Sequence, residues 1–189
     1  MTNYLDNVNR IKELLDLGHI MLCPTDTIWG LSCDAFNLEA VSKIFKIKQR
    51  DLDKSCILLV DSITHLKKYI TNFHPRIETL LSYYNKPLTI IHQASQDLPN
   101  HLTHQDGTIA IRITSHPLLK EVISMLGRPI ISTSANIQGE ASPKYYDEIS
   151  NRIRTKVDYI CYTGREDTPH IPPSRIIKYS QDGELFFLR

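Results

Sequence analysis

The sequence predicts an α/β domain built on a mixed sheet. Short apolar runs, typical of buried strands, alternate early in the chain with segments whose apolar residues recur at helical spacing. Towards the C-terminus strand-like runs follow one another, which predicts antiparallel pairing beside the alternating elements. The chain of 189 residues, 41% hydrophobic and 23% charged, is long enough for one domain with a sizeable core.

The composition excludes several classes of protein. A formal net charge of +1 gives no overall attraction to nucleic acid, so any anion site depends on local placement. No apolar run approaches the roughly 20 residues of a membrane span, and the first residues do not resemble a signal peptide. The four cysteines lie far apart and indicate free thiols in a reducing cytoplasm. His101 and His104 lie in a polar loop without a third ligand, so we expect no protein metal site.

Local signals predict where the helices begin and end. Gly18 ends the first helix, Asn37 caps the second, and Gly127 stops the fifth. Pro143 suits the first turn of a further helix that Ser142 would cap. In chain order, the predicted helices are residues 3–17, 38–50, 62–69, 75–83 and 117–126, and one that begins at Pro143.

Apolar and β-branched runs predict the strands. Pro24 cannot donate to a sheet ladder and ends the first strand, while a turn at Asp182 and Gly183 joins the last two strands into a hairpin. In chain order, the predicted strands are residues 20–23, 56–60, 88–91, 108–113, 129–133, 159–162, 175–179 and 185–189.

The stretch from Pro24 to Leu31 reads Pro-Thr-Asp-Thr-Ile-Trp-Gly-Leu and directly follows the first strand. Two hydroxyls around one carboxylate at the end of a strand can offer polar groups at the edge of an α/β sheet. A simpler interpretation is a capped turn, in which Thr and Asp bond their own backbone, Trp29 fills the core and Gly30 supplies a positive φ. The rest of the chain decides between these interpretations.

Three further polar clusters could complete a site. Lys48-x-Arg50 ends the second helix. Cations at a helix C-terminus stabilise the helix by about 0.3–1 kcal/mol, so this pattern does not require a ligand. Residues 132–136 and Ser142 could cradle an anion beside a helix N-terminus, or form a hydroxyl-rich loop. Arg112 lies in an apolar strand, so its guanidinium must reach solvent or pair with a carboxylate. Together these clusters suit a pocket for a polyanion and a small zwitterion.

The chain resembles the YrdC-like family, the threonylcarbamoyl-AMP synthases. The stretch from Pro24 to Leu31, Lys48-x-Arg50 and Ser134-Ala135-Asn136 stand in that family's order and spacing. Supporting matches are residues 33–36, 87–89, 107–112 and 142–143, and Ser174. The resemblance covers nearly the whole chain and implies the short form of the family, with a single domain over residues 1–189.

The resemblance implies a fold and an activity. The expected fold is a twisted mixed parallel and antiparallel sheet with flanking helices around a large cavity. The expected enzyme makes L-threonylcarbamoyl-AMP and pyrophosphate from L-threonine, bicarbonate or carbon dioxide, and ATP. A downstream threonylcarbamoyl transferase then modifies the adenosine next to the anticodon of tRNA. Contact with tRNA or double-stranded RNA is also attributed to the family, whose members are cytoplasmic and not bound to membranes.

The family's functional positions carry over residue by residue. Its catalytic signature falls on Lys48, Arg50, Ser134 and Asn136. Its ATP contacts fall on Arg50, Lys54, Thr108, Ser134, Ser142 and Arg189. Its L-threonine contacts fall on Thr27, Leu59, Arg112, Ser132 and Ser174, with Arg112 on the carboxylate. Carboxylating an amine and adenylating the carbamate needs positioning and charge stabilisation, and no protein nucleophile. Mg²⁺ would be held mainly by phosphates and water.

The chain departs from the family pattern at four positions. Trp29 stands where tyrosine is usual, Asp51 and Ser55 replace prolines near the nucleotide, and Arg175 replaces a threonine. The charged core remains, but the choice of substrate stays open. Two alternatives therefore stand beside the synthase. One is a double-stranded RNA-binding or ribosome-associated protein, which the near-neutral charge disfavours. The other is a relative that acts on another amino acid or nucleotide.

Overall fold

The computed structural model describes residues 5–50, 56–168, 171–179 and 184–188. The helices are α1 (Val8–Asp16), α2 (Leu38–Lys48), α3 (Ile63–Lys67), α4 (Pro75–Tyr83), α5 (Pro117–Leu126) and α6 (Asn151–Arg154). The strands are β1 (Met21–Cys23), β2 (Gly30–Asp34), β3 (Ile57–Val60), β4 (Leu88–Gln93), β5 (Thr108–Ile113), β6 (Ile130–Ser134), β7 (Tyr159–Ile160), β8 (Arg175–Tyr179) and β9 (Leu185–Phe187). Within the described ranges, every helix is too short or too polar to cross a membrane.

The described strands form one nine-stranded sheet in the order β7-β1-β2-β6-β3-β5-β4-β8-β9. The pairs β1/β7, β3/β5 and β4/β8 are parallel, and the remaining neighbours are antiparallel. The predicted mixed sheet with flanking helices is therefore confirmed. Strand β6 lies between β2 and β3, with Ser134 opposite Gly30 and Ser132 opposite Ile57. This order brings the strands that carry the predicted motifs next to one another.

Helices cover the two faces of the sheet unequally. On one face, α2 and α3 pack against a large core that includes Leu31, Leu58 and Ile111. On the other face, α1 and α5 pack together over Met21 and Leu59. Because side chains alternate between faces along each strand, the second face also carries the polar positions of β2, β5 and β6. The part of this face beyond α1 and α5 stays open and forms the floor of a cavity.

Local sequence signals located the middle helices correctly. Helices α4 and α5 and strand β5 have the predicted bounds. The side chain of Asn37 accepts a hydrogen bond from the Ala40 N–H at 3.0 Å, as expected of a helix cap. Gly127 ends α5 in the left-handed conformation, with φ of 72°. The hairpin of β8 and β9 also forms, although its turn at residues 182–183 lies outside the described residues.

Two expectations about secondary structure were wrong. Strand β2 was not predicted, and its five residues are all buried between β1 and β6. The helix predicted to begin at Pro143 does not form. A 3₁₀ turn at Tyr146–Glu148 precedes the short α6 instead. The centroid of the Tyr146 ring lies 5.1 Å from that of the Trp29 ring and 4.8 Å from Cζ of Arg154. These tertiary contacts replace the helix, so no helix N-terminus stands beside Ser142.

Candidate functional site

A cavity of about 300 Å³ lies on the open half of the sheet. Strands β2, β3, β5 and β6 contribute to its lining, together with the loop between β1 and β2. The residues directly before β8 line another side of the cavity. The cavity gathers predicted ligand contacts from distant parts of the sequence: Thr27, Arg50, Arg112, Ser132, Ser134, Ser142 and Ser174.

The loop between β1 and β2 is held by its own hydroxyl groups. Thr25 Oγ1 donates to the Ile28 carbonyl at 2.7 Å and accepts from the Thr27 N–H at 3.0 Å. The indole of Trp29 is buried, as expected of a core residue. The capped-turn interpretation is thus correct for Thr25 and Trp29. It is wrong for Asp26, whose carboxylate contacts Arg112 and Thr114 and not its own backbone. It is also wrong for Gly30, which begins β2 and has no positive φ. The same loop also lines the cavity.

Arg112 forms a buried ion pair in the cavity wall. Its Nη2 lies 3.2 Å from Asp26 Oδ1, and both side chains are 4% exposed. Of the two predicted alternatives, contact with solvent or with a carboxylate, the structure shows the carboxylate. On the neighbouring strand, Thr89 lies opposite Arg112, and its hydroxyl is 2.8 Å from that of Ser174. A guanidinium with hydroxyls beside it suits the carboxylate and polar groups of a small zwitterion.

A second part of the cavity carries the other cations. A depression of about 240 Å³, lined by Lys48, Arg50, Ser134 and Asn136, adjoins the cavity and shares Arg50 and Ser134 with it. Arg50 Nη1 is 3.3 Å from the Thr133 hydroxyl. Burial, and to a lesser degree the Arg50 charge, lowers the pKa of Lys48 to about 8. The members of the predicted catalytic signature are thus placed together.

Lys48 holds the loop that follows β6. Its Nζ donates to the carbonyl of Ser134, to the carbonyl of Asn136 at 2.8 Å and to Asn136 Oδ1 at 3.3 Å. Asn136 Nδ2 in turn donates to the Glu140 carbonyl at 2.7 Å. An ammonium group has three N–H donors, and here all three are directed at this loop. Lys48 therefore fixes the position of Ser134 and Asn136 beside Arg50.

Some predicted site residues lie elsewhere. Thr108 lines a neighbouring cavity, and its hydroxyl donates to Asp106 Oδ1 at 2.6 Å. Leu59 is fully buried in the core under α1 and α5, and it is not among the described residues that line the main cavity. Lys54 and Arg189 lie outside the described residues, as do Asp51 and Ser55.

Sequence reasoning missed two residues of the cavity region. Asp26 was not identified as the partner of Arg112, although it is the carboxylate of the stretch from Pro24 to Leu31. Cys56 lines the cavity, and burial raises the pKa of its thiol to about 11, so the thiol is neutral at pH 7. The signal for Asp26 was present, because a carboxylate is one of the two ways to satisfy a strand arginine.

Gly30 approaches β6 so closely that no side chain fits. A Cβ there would lie 2.7 Å from Ser132 Oγ and 3.2 Å from the Thr133 carbonyl oxygen. We expect Gly30→Ala to displace the Ser132 hydroxyl and to lower the free energy of unfolding by about 1–3 kcal/mol. Urea unfolding measures this change. Ser124→Ala, on the exposed face of α5, is the control and should stay within about 0.5 kcal/mol of the unaltered chain. Equal stabilities for the two variants would contradict the prediction.

Comparisons with known proteins bear on this site. The Sua5/YciO/YrdC family model, described as telomere recombination, matches residues 13–189. A threonylcarbamoyl-AMP synthase of Pseudoalteromonas translucida is 31% identical over 172 residues, which cover 89% of this chain and 90% of that protein. A putative threonylcarbamoyl-AMP synthase of Methanocaldococcus jannaschii is 34% identical over 171 residues, which cover 90% and 79%. The structure of P. abyssi Sua5 complexed with L-threonine has a TM-score of 0.86 and 26% identity. That match covers 96% of this chain but 53% of the other, so this chain spans about half the length of P. abyssi Sua5.

Proposed function

This chain belongs to the Sua5/YciO/YrdC family, and from that premise we propose that it is an L-threonylcarbamoyl-AMP synthase acting in tRNA modification. One observation carries the proposal. The cavity places Arg112, among hydroxyls, close to the cluster of Lys48, Arg50, Ser134 and Asn136. This arrangement suits an amino acid and a nucleotide bound side by side. The complex of P. abyssi Sua5 with L-threonine supports that amino acid as the substrate.

We propose that each end of the cavity carries out one part of the reaction. Arg112 binds the carboxylate of L-threonine, and Thr27, Ser132 and Ser174 supply hydroxyls around the substrate. The amine nitrogen attacks the carbon of carbon dioxide and releases a proton as the carbamate forms. With bicarbonate, the displaced hydroxide takes that proton and leaves as water. A carbamate oxygen then attacks the α-phosphorus of ATP, and pyrophosphate leaves. Arg50 offsets the charge that develops on the phosphates.

ATP brings its own divalent cation to this site. In the part of the chain that the structure describes, no three His, Cys, Asp or Glu side chains are placed to hold a metal ion. We infer that Mg²⁺ is held mainly by phosphate oxygens and water. The product requires a separate transferase that passes the threonylcarbamoyl group to tRNA. We propose that the enzyme acts in the cytoplasm together with that transferase, and that residues 1–189 form one domain.

Pyrophosphate release tests the proposed function directly. With ATP, Mg²⁺ and bicarbonate, the protein should release pyrophosphate only when L-threonine is added, and mass spectrometry should detect threonylcarbamoyl-AMP. L-Serine and L-valine are matched controls, since one lacks the methyl group and the other the hydroxyl. Release with a different amino acid would indicate another substrate. No release with any amino acid, while ATP still binds, would contradict a synthase and favour the RNA-binding alternative.

Arg50 should act on ATP and not on L-threonine. Its guanidinium is half-buried in the cavity wall, and we expect Arg50→Ala to raise the KM for ATP by about 10–100-fold. The reason is the loss of a charge-assisted hydrogen bond, worth about 1.5–3 kcal/mol. Steady-state pyrophosphate release measures the KM for both substrates. Arg76→Ala, an exposed arginine on α4, is the control. An unchanged KM for ATP in Arg50→Ala would remove the nucleotide role.

A further inference from the structure

Asp26 is a buried carboxylate in the wall between two cavities. The loop that carries it lines the main cavity on one side and a second cavity of about 310 Å³ on the other. Its Oδ1 contacts Arg112 Nη2 at 3.2 Å and accepts a hydrogen bond from Thr114 Oγ1 at 3.2 Å. Its Oδ2 is also buried but accepts no hydrogen bond from the described residues. Oδ1 therefore makes both of these contacts, and Oδ2 makes neither.

This arrangement is not the most stable one available to a buried pair. Removing a carboxylate and a guanidinium from water is unfavourable, and good geometry with further hydrogen bonds is needed to offset it. An unsatisfied carboxylate oxygen adds to that penalty. Apolar residues of similar volume would often give equal or greater stability. A buried polar atom without a partner in a cavity wall therefore indicates a functional reason for the pair.

We propose that Asp26 is a positioning residue for the amino-acid site. It holds the Arg112 guanidinium in the plane that lets this group bind the substrate carboxylate through two parallel hydrogen bonds. The inference rests on the proposed synthase function. An arginine side chain has several rotatable bonds, and β5 fixes its backbone end. The contact with Asp26 fixes the other end.

Thr114 connects the loop to the strand that carries Arg112. Its backbone N–H donates to the Val60 carbonyl at 3.0 Å, and its hydroxyl accepts from the His116 N–H at 3.2 Å. The donor that reaches Asp26 is thus itself held in place at the end of β5. Asp26, Thr114 and Arg112 form one unit, so a shift of the loop would move the guanidinium.

Among the titratable groups around Asp26, Arg112 is the cation that pairs with it. His116 faces Asp26 from the start of α5, and burial lowers the pKa of this imidazole more than the charges of Asp26 and Asp167 raise it. His116 is therefore neutral at pH 7. Lys144 lines the second cavity but forms no ion pair with Asp26 among the described residues. The buried charge of Asp26 is balanced by Arg112.

Asp26→Asn tests the proposal, because it keeps the shape and the acceptor for Thr114 but removes the charge. Positioning predicts that the KM for L-threonine rises by about 10–100-fold, while the KM for ATP stays unchanged. Asp34→Asn is the matched control. It breaks another Asp–Arg pair, with Asp34 Oδ2 2.7 Å from Arg128 Nε, outside the cavity. Asp34→Asn should lower stability without changing the KM for L-threonine.

Two outcomes of the kinetic test would overturn the proposal. If Asp26 only opposes an incoming carboxylate, Asp26→Asn lowers the KM for L-threonine. If Asp26 is only structural, Asp26→Asn and Asp34→Asn behave alike. A double variant adds a check. In a chain that already carries Arg112→Lys, Asp26→Asn should change the KM for L-threonine little further.

A spectroscopic readout separates this proposal from the proposed function. In ¹⁵N-labelled protein, the Nη–Hη signals of Arg112, assigned through Arg112→Lys, should be protected from exchange with water, because Nη2 contacts Asp26. We expect that protection in the unaltered chain and in Asp34→Asn, and its loss in Asp26→Asn. Protection that persists in Asp26→Asn would overturn the positioning role. A chain without threonine-dependent activity would overturn the synthase proposal alone, and the exchange measurement would still decide the role of Asp26.

Discussion

Arg112→Ala is expected to abolish threonine-dependent pyrophosphate release and to lower the free energy of unfolding by about 3–5 kcal/mol. The activity falls by about 10²–10⁴-fold because two charge-assisted hydrogen bonds to the carboxylate, about 1.5–3 kcal/mol each, are lost. Stability falls because Asp26 is left as an uncompensated charge that is only 4% exposed. Chemical denaturation and steady-state kinetics measure the two effects separately.

Arg112→Lys separates the two roles of this residue. Lysine keeps the charge that balances Asp26, so we expect most of the stability to be retained. A lysine ammonium cannot form the planar bidentate contact, so kcat/KM for L-threonine should still fall by about tenfold or more, while the KM for ATP stays unchanged. If Arg112→Lys retained the full kcat/KM for L-threonine, the carboxylate contact would have to lie elsewhere.

Arg112 shows which part of a site a sequence can predict. An arginine in an apolar strand must reach solvent or pair with a carboxylate, and that requirement follows from burial alone. The identity of the partner does not follow, because Asp26 reaches Arg112 only through the order of strands in the sheet. Contacts between side chains that depend on the position of β6 between β2 and β3 cannot be predicted from the spacing of residues along the chain. The resemblance to a known family supplied the residues of the site without their contacts.

The same distinction explains the errors in the predicted fold. Helices α4 and α5 have clear caps and apolar spacing within their own residues, so their bounds were predictable. Strand β2 contains Ser32 and Asp34 and has no apolar run, and it is a strand because β1 and β6 pair with it on both sides. The predicted helix at Pro143 had a good cap signal, but contacts of Tyr146 with Trp29 and Arg154 outweighed it.

The predicted site residues follow a similar rule. Those in short motifs at strand ends, such as Thr27 and Ser134, line the cavity as expected. Leu59 lies inside a strand, where alternation places its side chain on the cavity's face of the sheet. Helix α5 covers that part of the face, however, so Leu59 packs in the core. Which part of a face stays open depends on the packing of helices far away in the sequence, and local patterns do not contain that information.

Lys48→Ala is the second substitution expected to have a large effect. The Lys48 residue is 3% exposed, and its ammonium donates to oxygens of Ser134 and Asn136, so its removal leaves these acceptors unsatisfied. We expect kcat/KM for ATP to fall by about 10²–10³-fold, because the loop beside Arg50 loses its position. The free energy of unfolding should fall by about 2–4 kcal/mol. Lys43→Ala, on the exposed face of the same helix, is the control and should retain activity and stability.

The pH dependence of Lys48 distinguishes the charged form from mere packing. Its pKa is lowered from 10.5 to about 8, so the folded protein loses this proton well before the unfolded chain does. The contribution of Lys48 to stability therefore rises with pH between about 8 and 10.5, since only the unfolded chain still binds the proton there. Activity that depends on the ammonium should instead fall as the pH rises through about 8. Unfolding curves and kcat/KM for ATP, measured from pH 6 to 10 in the unaltered chain and in Lys43→Arg, should show these opposite trends. A stability that rises while activity stays flat would mean that neutral Lys48 holds the loop equally well, and its charge would then have no part in binding the phosphates.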